Sequence, residues 1–237
     1  MASPAGRPPL YIQVRDKLLE RIRSGEWKPG EAIPNEFQIA DEYGVSQGTA
    51  RKAIGALGSL VVRRQGAGTF VVDITPAHVM FRFFNFFDDR GNRLLPDSEN
   101  SRSTTGLADP AERAELGLDK GARVIRVFRN RTRGGKGFIT ETIILPKALF
   151  PDLEGLPTVP NTLYDLYQKS YGIFVVRTEE RITPVLADAE AAQTLGVPEG
   201  TPLLRIARLS FHLDGTPIEW RISLCHLDRA HYLAHLS

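Results

Sequence analysis

The sequence predicts an α+β protein in two parts. A winged helix-turn-helix occupies residues 1–73, a linker 74–80, and an antiparallel sheet with helices packed on it 81–237. Three observations predict this. Two short helical patterns separated by a glycine turn run into a glycine-tipped hairpin. A unit of strand, helix, strand, turn and strand then occurs twice, 79 residues apart. The intervening helices are too short for parallel crossovers, and no Gly-rich phosphate loop is present.

The bulk composition fits a folded, water-soluble chain. Of 237 residues, 42% are hydrophobic and 24% charged, enough for a sizeable core. No apolar run of about 18 residues occurs, so no membrane span is expected. The start, "MASPAGRPPLY", lacks the basic and apolar regions of a secretory signal. A single cysteine, Cys225, allows no internal disulfide, which favours a reducing cytoplasm.

The first element is "LYIQVRDKLLERIR", residues 10–23. Tyr11, Val14, Leu18 and Ile22 recur at helical spacing, Ser24-Gly25 ends the run, and Pro29-Gly30 makes a turn. A second helix starts after Pro34. Asn35 is its N-cap, with Gln38 three residues on in a loose capping box. Phe37, Ile39, Ala40 and Tyr43 are its apolar positions, and Gly44 stops it. Ser46 caps a third helix to about Leu57, with Ala50, Ala53, Ile54 and Leu57 facing inward. Leu60–Arg64 and Thr69–Val72 read as strands around the turn Gln65-Gly66-Ala67-Gly68.

Charge is distributed unevenly over these elements. Residues 1–72 hold ten of the 30 basic and seven of the 28 acidic residues, a local excess of +3; the remainder is at −1. Within it, "VSQGTARKAIGALGSLVVRRQGAGTF" (45–70) contains Arg51, Lys52, Arg63 and Arg64 and no Asp or Glu. An acid there would face phosphates spaced about one charge per 1.7 Å of duplex axis. A solvated charged face is the plainer reading of four cations. The helix-turn-helix spacing and the adjoining wing favour duplex DNA, with the third helix in the major groove. Arg51 and Thr49 then work in the groove, while Lys52, Arg63, Arg64 and the backbone at Gly66 and Gly68 meet phosphates.

These residues resemble a known family. "LYIQVRDKLLERIRSGEWKPGEAIPNEFQIADEYGVSQGTARKAI" followed by "RRQGAGTFV" is similar to the winged helix-turn-helix of GntR-family bacterial transcription regulators, over residues 9–72. The resemblance implies DNA contacts at Ser46, Gln47, Thr49, Arg51, Gln65 and Gly66. Three places depart from it: Phe37 stands where the family often has a DNA-contacting Arg, Gly48 replaces a longer polar residue, and the helix-to-wing join is about two residues short.

The second part is a duplication. Leu107-Ala108-Asp109 matches Leu186-Ala187-Asp188, Leu116-Gly117 matches Leu195-Gly196, and Arg126 and Arg129 match Arg205 and Arg208. Past the hairpin turns Gly134-Gly135 and Asp214-Gly215 the offset falls to 78, which pairs Glu141 with Glu219. Asp109 and Asp188 cap the repeated helices. Two copies give about six antiparallel strands. Between them, Asn161 or Thr162 opens a helix, "LYDLYQKSYG", ending at Gly172.

Along "RVIRVFRNR", Val127, Arg129 and Arg131 point to one face, and Glu141 follows on the returning strand. Two guanidiniums and a carboxylate suit a small anion carrying a hydroxyl or amine. A cross-strand ion-pair cluster on the surface is the plainer alternative. "LGLDKGARVIRVFRNRTRGGKGFITETIILP", "NTLYDLYQKSYG", "LGVPEGTPLLRIAR" and "PIEW" resemble the UTRA effector-binding domain of the HutC branch, over about 78–235. The resemblance implies the chorismate-lyase fold, and ligand contacts at Arg129, Arg131 and Glu141. Glu219, as repeat mate, and Tyr232, in the tail, are further candidates. "HVMFRFFNFFDDRG" is poor in hydroxyls, so an organic acid is as good an effector as a sugar phosphate. Phe81, Phe83, Phe84, Phe86 and Phe87 fit a core strand or a dimer face better than a pocket.

The expected protein is a homodimeric repressor that reads a palindromic operator and is released by a small anionic metabolite, with no cofactor, metal or catalytic residue. Cys225 and His226 are adjacent, which sends them to opposite sides of a strand, and His226, His231 and His235 do not share one helical face. The rival readings are a chorismate-lyase-like enzyme fused to a nucleic-acid-binding module, and a module that binds nucleic acid without sequence preference.

Overall fold

The computed structural model describes residues 8–28, 30–72, 84–156, 158–212 and 214–234. Pro29, the 74–80 linker, Phe81, Phe83 and His235 lie outside the described residues. The chain divides into two compact units, 1–75 and 76–237.

In the first unit, α1 (Leu10–Arg23) buries Val14, Leu18 and Ile22, the stripe its spacing predicts. Helix α2 (Glu36–Tyr43) opens on a full capping box. The Asn35 side chain accepts from the Phe37 and Gln38 amides at 3.0 Å, and Gln38 Oε1 accepts from the Asn35 amide at 2.9 Å. Gly44 leaves the helix at φ 61°, a left-handed stop that glycine adopts without strain. Helix α3 (Gln47–Ala56) is capped by Ser46, whose Oγ accepts from the Thr49 amide at 3.2 Å. Ala50, Ala53 and Leu57 are fully buried, and both α1 and α2 pack on α3.

Phe37 departs from the expected inward stripe: Ile39 is fully buried, while Phe37 is 67% exposed. Two residues turn a helix by about 200°, so the two side chains take opposite faces. The short join closes through a 3₁₀ turn at Gly58–Leu60, so the outgoing strand begins at Val61 rather than Leu60. Strands β2 (Val61–Arg64) and β3 (Gly68–Val71) form the hairpin, with Arg63 opposite Thr69 and Arg64 opposite Gly68. A two-residue strand, β1 (Ala32–Ile33), adds to the far side of β3, giving the order β1-β3-β2. It is too short to leave a period in the sequence.

The second unit is built on β5 (Asp97–Leu107), α4 (Pro110–Leu116), β6 (Arg123–Arg133) and β7 (Lys136–Pro146). The second copy is β8 (Arg177–Leu186), α6 (Ala189–Leu195), β9 (Pro202–Phe211) and β10 (Pro217–Cys225). The six strands run β5-β6-β7-β10-β9-β8, antiparallel throughout, and the copies meet where β7 pairs β10. Asp109 caps α4 in a capping box with Glu112, and Asp188 caps α6 through the Ala191 amide at 2.8 Å.

One face of the sheet carries Ile125, Val127, Ile143 and Leu145, covered by α5 (Leu163–Tyr171) through Leu163, Tyr164 and Tyr167. The opposite face takes α4 against Val124 and Ile144, and α6 against Leu203. Strand β7 has a glycine where α6 meets it: a Cβ at Gly137 would lie 2.5 Å from the Leu195 carbonyl oxygen. The duplicated helix therefore seats directly on sheet backbone. A small ladder of β4 (Phe86–Asp88) and β11 (Ala230–Tyr232) completes the unit. Phe84 and Phe86 are core residues against Phe138, Ile139 and Cys225, while Phe87 is half-buried and stacks on His231. No described helix is long and apolar enough to cross a membrane.

Candidate nucleic-acid interface and effector site

Start of α3 and the hairpin tip bring the first group of candidates to the surface of their unit. Arg51, Lys52, Arg63, Arg64, Gln65, Gly66 and Gly68 are exposed, and Gln47 and Thr49 half-buried. Ser46 is exposed but occupied: its Oγ caps α3 and lies 2.9 Å from Thr49 Oγ1, which fixes the first turn. Arg64 lies over the Phe70 ring at 4.7 Å, which holds its stem along the wing.

Tertiary structure adds an acid that the acid-free stretch itself does not contain. Glu36, in the first turn of α2, accepts from Arg63 Nη2 at 3.1 Å and lies 3.6 Å from Arg51 Nε. Its own backbone amide, then Arg63 and Arg51, hold its carboxyl below the ordinary range. One carboxylate thus ties the wing and α3 to the start of α2, and sequence reasoning missed it because it precedes the basic segment.

In the second unit, Arg129, Arg131, Glu141 and Glu219 converge on the face covered by α5. Arg129 and Glu141 are register partners on β6 and β7, and Arg131 lies two residues further along. Glu141 Oε2 accepts from Arg129 Nε and Nη2 at 3.0 and 2.7 Å, and from Arg131 Nε at 2.9 Å. Glu219 accepts from Tyr164 at 3.0 Å, Tyr167 at 2.7 Å, and Arg221 Nε and Nη2 at 3.1 and 2.9 Å. The surface alternative is corrected here. Arg129 is 1% exposed and Glu219 0%, and Arg131, Glu141, Arg208 and Arg221 are also buried, because α5 lies over them.

The duplication is used asymmetrically. Arg208 repeats Arg129, but Ser210 stands where the second arginine would be. Arg221, the mate of Ile143, supplies that charge instead, and its Nη1 reaches Glu141 Oε1 at 3.5 Å. Arg221 therefore bridges the carboxylates of the two copies. Tyr232 sits at the edge of the network, donating to Glu180, which accepts from Arg208 Nε at 2.6 Å.

Of the two residues expected to open this helix, Thr162 is at the N-cap and Asn161 is not. Helix α5 begins after Thr162 with no side-chain cap, and the Asn161 Oδ1 accepts instead from Arg131 Nη1 at 2.7 Å. Arg129 Nη1 donates to the Pro160 and Asn161 carbonyls at 3.1 Å. Both arginines thus grip the segment that leads into α5. Beside them, an open groove of about 880 Å³ at the β6–β7 hairpin end is lined by Arg131, Arg133, Lys136, His226 and Arg229.

Burial shapes the electrostatics. It pulls Arg131 down to about 10, against the attraction of Glu141. It would raise Glu141 as well, but Arg131, Arg129 and Arg221 outweigh it and hold that carboxyl well below the usual range. Glu219 is likewise lowered, with Arg221 the main cation opposing burial. Folding therefore favours the ionised form of both carboxylates. The stability they contribute is complete above the unfolded value of about 4.3 and is lost as pH falls through the lower folded values. In a Trp27→Phe background, Trp220 fluorescence reports this unit, and its urea midpoint is expected to fall between about pH 4.5 and pH 3. A midpoint constant across that range contradicts the linkage.

The fold is a helix-turn-helix unit joined to a duplicated antiparallel sheet, and comparison with known proteins gives its class. Residues 10–71 match the family of bacterial regulatory proteins of the gntR family, and residues 93–231 match the UTRA domain. The chain is 30% identical over 226 residues to the mannosyl-D-glycerate transport/metabolism system repressor MngR of Escherichia coli, covering 94% of each. It is 28% identical to the transcriptional repressor NagR of Bacillus subtilis, covering 97% of this chain and 96% of that one. The structure of PhnF from Mycobacterium smegmatis aligns with TM-score 0.58 at 27% identity, over 94% of this chain and 99% of that one. The chain belongs to the GntR family of transcription regulators, with a C-terminal UTRA domain. Members regulate transcription rather than catalyse a reaction, which decides against the lyase reading.

Proposed function

We propose that this regulator is a homodimeric repressor that binds a palindromic operator and is released by a small anionic metabolite. Ser46, Gln47, Thr49, Arg51, Gln65 and Gly66 would meet the duplex at base edges and backbone. Lys52, Arg63, Arg64 and Gly68 would set register through phosphates. Arg129, Arg131, Glu141, Glu219 and Tyr232 would hold the effector. The cytoplasm, where the DNA is, would be its compartment.

The observation that carries the effector reading is the concentration of buried charge under α5. Four buried guanidiniums, Arg129, Arg131, Arg208 and Arg221, are gathered around the buried carboxylates of Glu141 and Glu219 and the half-buried Glu180. Buried ion networks contribute little to stability compared with apolar packing, so such a network calls for another use. An anion that reaches Arg131 from the groove competes for the same donors that hold Asn161 and the entry to α5. Its binding would then favour one arrangement of that segment over another, as an effector must. Relatives named for mannosyl-D-glycerate, fructoselysine and histidine support a small polar ligand.

Thermal-shift screening of organic acids and sugar phosphates tests this. At least one compound is expected to stabilise the wild type, to lose that effect in Arg131→Gln, and to lower operator affinity. Equal stabilisation of Arg131→Gln, with that variant folded by circular dichroism, would place the ligand elsewhere.

A further inference from the structure

We propose that Phe37 is a sequence-reading residue that packs on a thymine methyl group in the major groove. The inference rests on the DNA-binding reading of this unit and goes beyond it: the family resemblance implies an Arg contact from this position of α2, and a phenyl ring cannot make that contact.

Phe37 is a large apolar side chain left 67% exposed, while Ile39 on the other side of the same helix is fully buried. Its backbone is fixed: the Phe37 amide is held by the Asn35 cap at 3.0 Å. Its position is fixed by the preceding residue. Glu36 bonds Arg63 on β2 and approaches Arg51 on α3, so the first turn of α2 lies where the wing meets α3. Of the charged side chains at that junction, Arg51 and Arg63 are exposed, while the Glu36 carboxylate between them is largely covered. The exposed ring therefore stands beside a cationic surface whose fitting partner is a polyanion.

A phosphate offers a phenyl ring nothing. In the major groove, the thymine C5-methyl is the apolar group that distinguishes one base pair from the others, and Phe is among the side chains that cover it. Covering the ring on binding also removes the cost of leaving it in water. The specificity expected is for T·A at one base pair of each half-site.

The probe is the duplex most enriched by the full-length protein from a random library, with each thymine replaced in turn by uracil, which lacks only the methyl. One position per half-site is expected to weaken wild-type binding about fourfold, the worth of one buried methyl-sized group. That position should have no effect on Phe37→Ala. The variant itself is expected to bind the parent duplex about tenfold more weakly. Its salt dependence should match wild type, because no phosphate contact is lost. Unchanged affinity in Phe37→Ala, or a uracil profile identical to wild type, overturns the proposal. So does a change confined to the sedimentation of the variant, which would assign the ring to a contact between copies. A library that yields no enriched duplex sinks the DNA reading itself, a failure distinct from that of Phe37.

Discussion

An Arg221→Met variant is expected to lose about 3–5 kcal/mol of stability in the effector unit, the usual penalty for removing one partner of a buried ion pair. Arg221 donates two hydrogen bonds to Glu219 and one to Glu141, and all three groups are buried. Methionine fills much of the volume and supplies no donor. Glu219 keeps Tyr164 and Tyr167 as donors but loses its cation, and Glu141 keeps Arg129 and Arg131. The damage should therefore centre on Glu219. Pairing Arg221→Met with Glu219→Gln is expected to recover part of the loss, because the second change removes the carboxylate the first left exposed to low dielectric. Urea denaturation followed by Trp220 in the Trp27→Phe background measures both. A single-variant loss under about 1 kcal/mol, in the range of exposed pairs, would contradict the buried network.

Arg51→Ala is expected to lower operator affinity about a hundredfold while leaving effector stabilisation unchanged. Arg51 projects from the second turn of α3, and its side chain is 65% exposed. A bidentate Arg contact to a base edge is worth about 1–3 kcal/mol of discrimination. The penalty should thus fall mostly on the operator and much less on random duplex. Glu36 strengthens the expectation, because it orients the guanidinium before DNA arrives. Anisotropy titrations on both duplexes at one salt concentration give the ratio. A variant that loses operator and random duplex equally would show Arg51 to be a phosphate contact.

What the sequence made legible was local. The capping residues Asn35, Ser46, Asp109 and Asp188 act on amides two or three residues away, so side-chain type and spacing are enough to see them. The two halves of the sheet were legible because the repeat preserves Gly and Asp punctuation. The β7–β10 pairing that joins them leaves no such mark. Arg129, Arg131 and Glu141 could be grouped because one hairpin carries them. Arg221, Tyr164 and Tyr167 could not, since they reach the carboxylates from separate elements. Burial was also invisible: alternation on a strand looks the same whether the face meets water or α5. Phe37 was misread because a helical apolar pattern does not say which apolar residue falls on the inner face.

The proposed coupling is of a duplex-binding surface to a metabolite-sensing sheet within one protein. Its most direct test is anisotropy of the full-length protein on DNA from its own promoter region, against scrambled duplex at matched low salt, with and without a compound that stabilises it. Promoter affinity at least about a thousandfold above scrambled duplex is expected, with release by the compound. Equal affinity for both duplexes, unmoved by any stabilising compound, would contradict it.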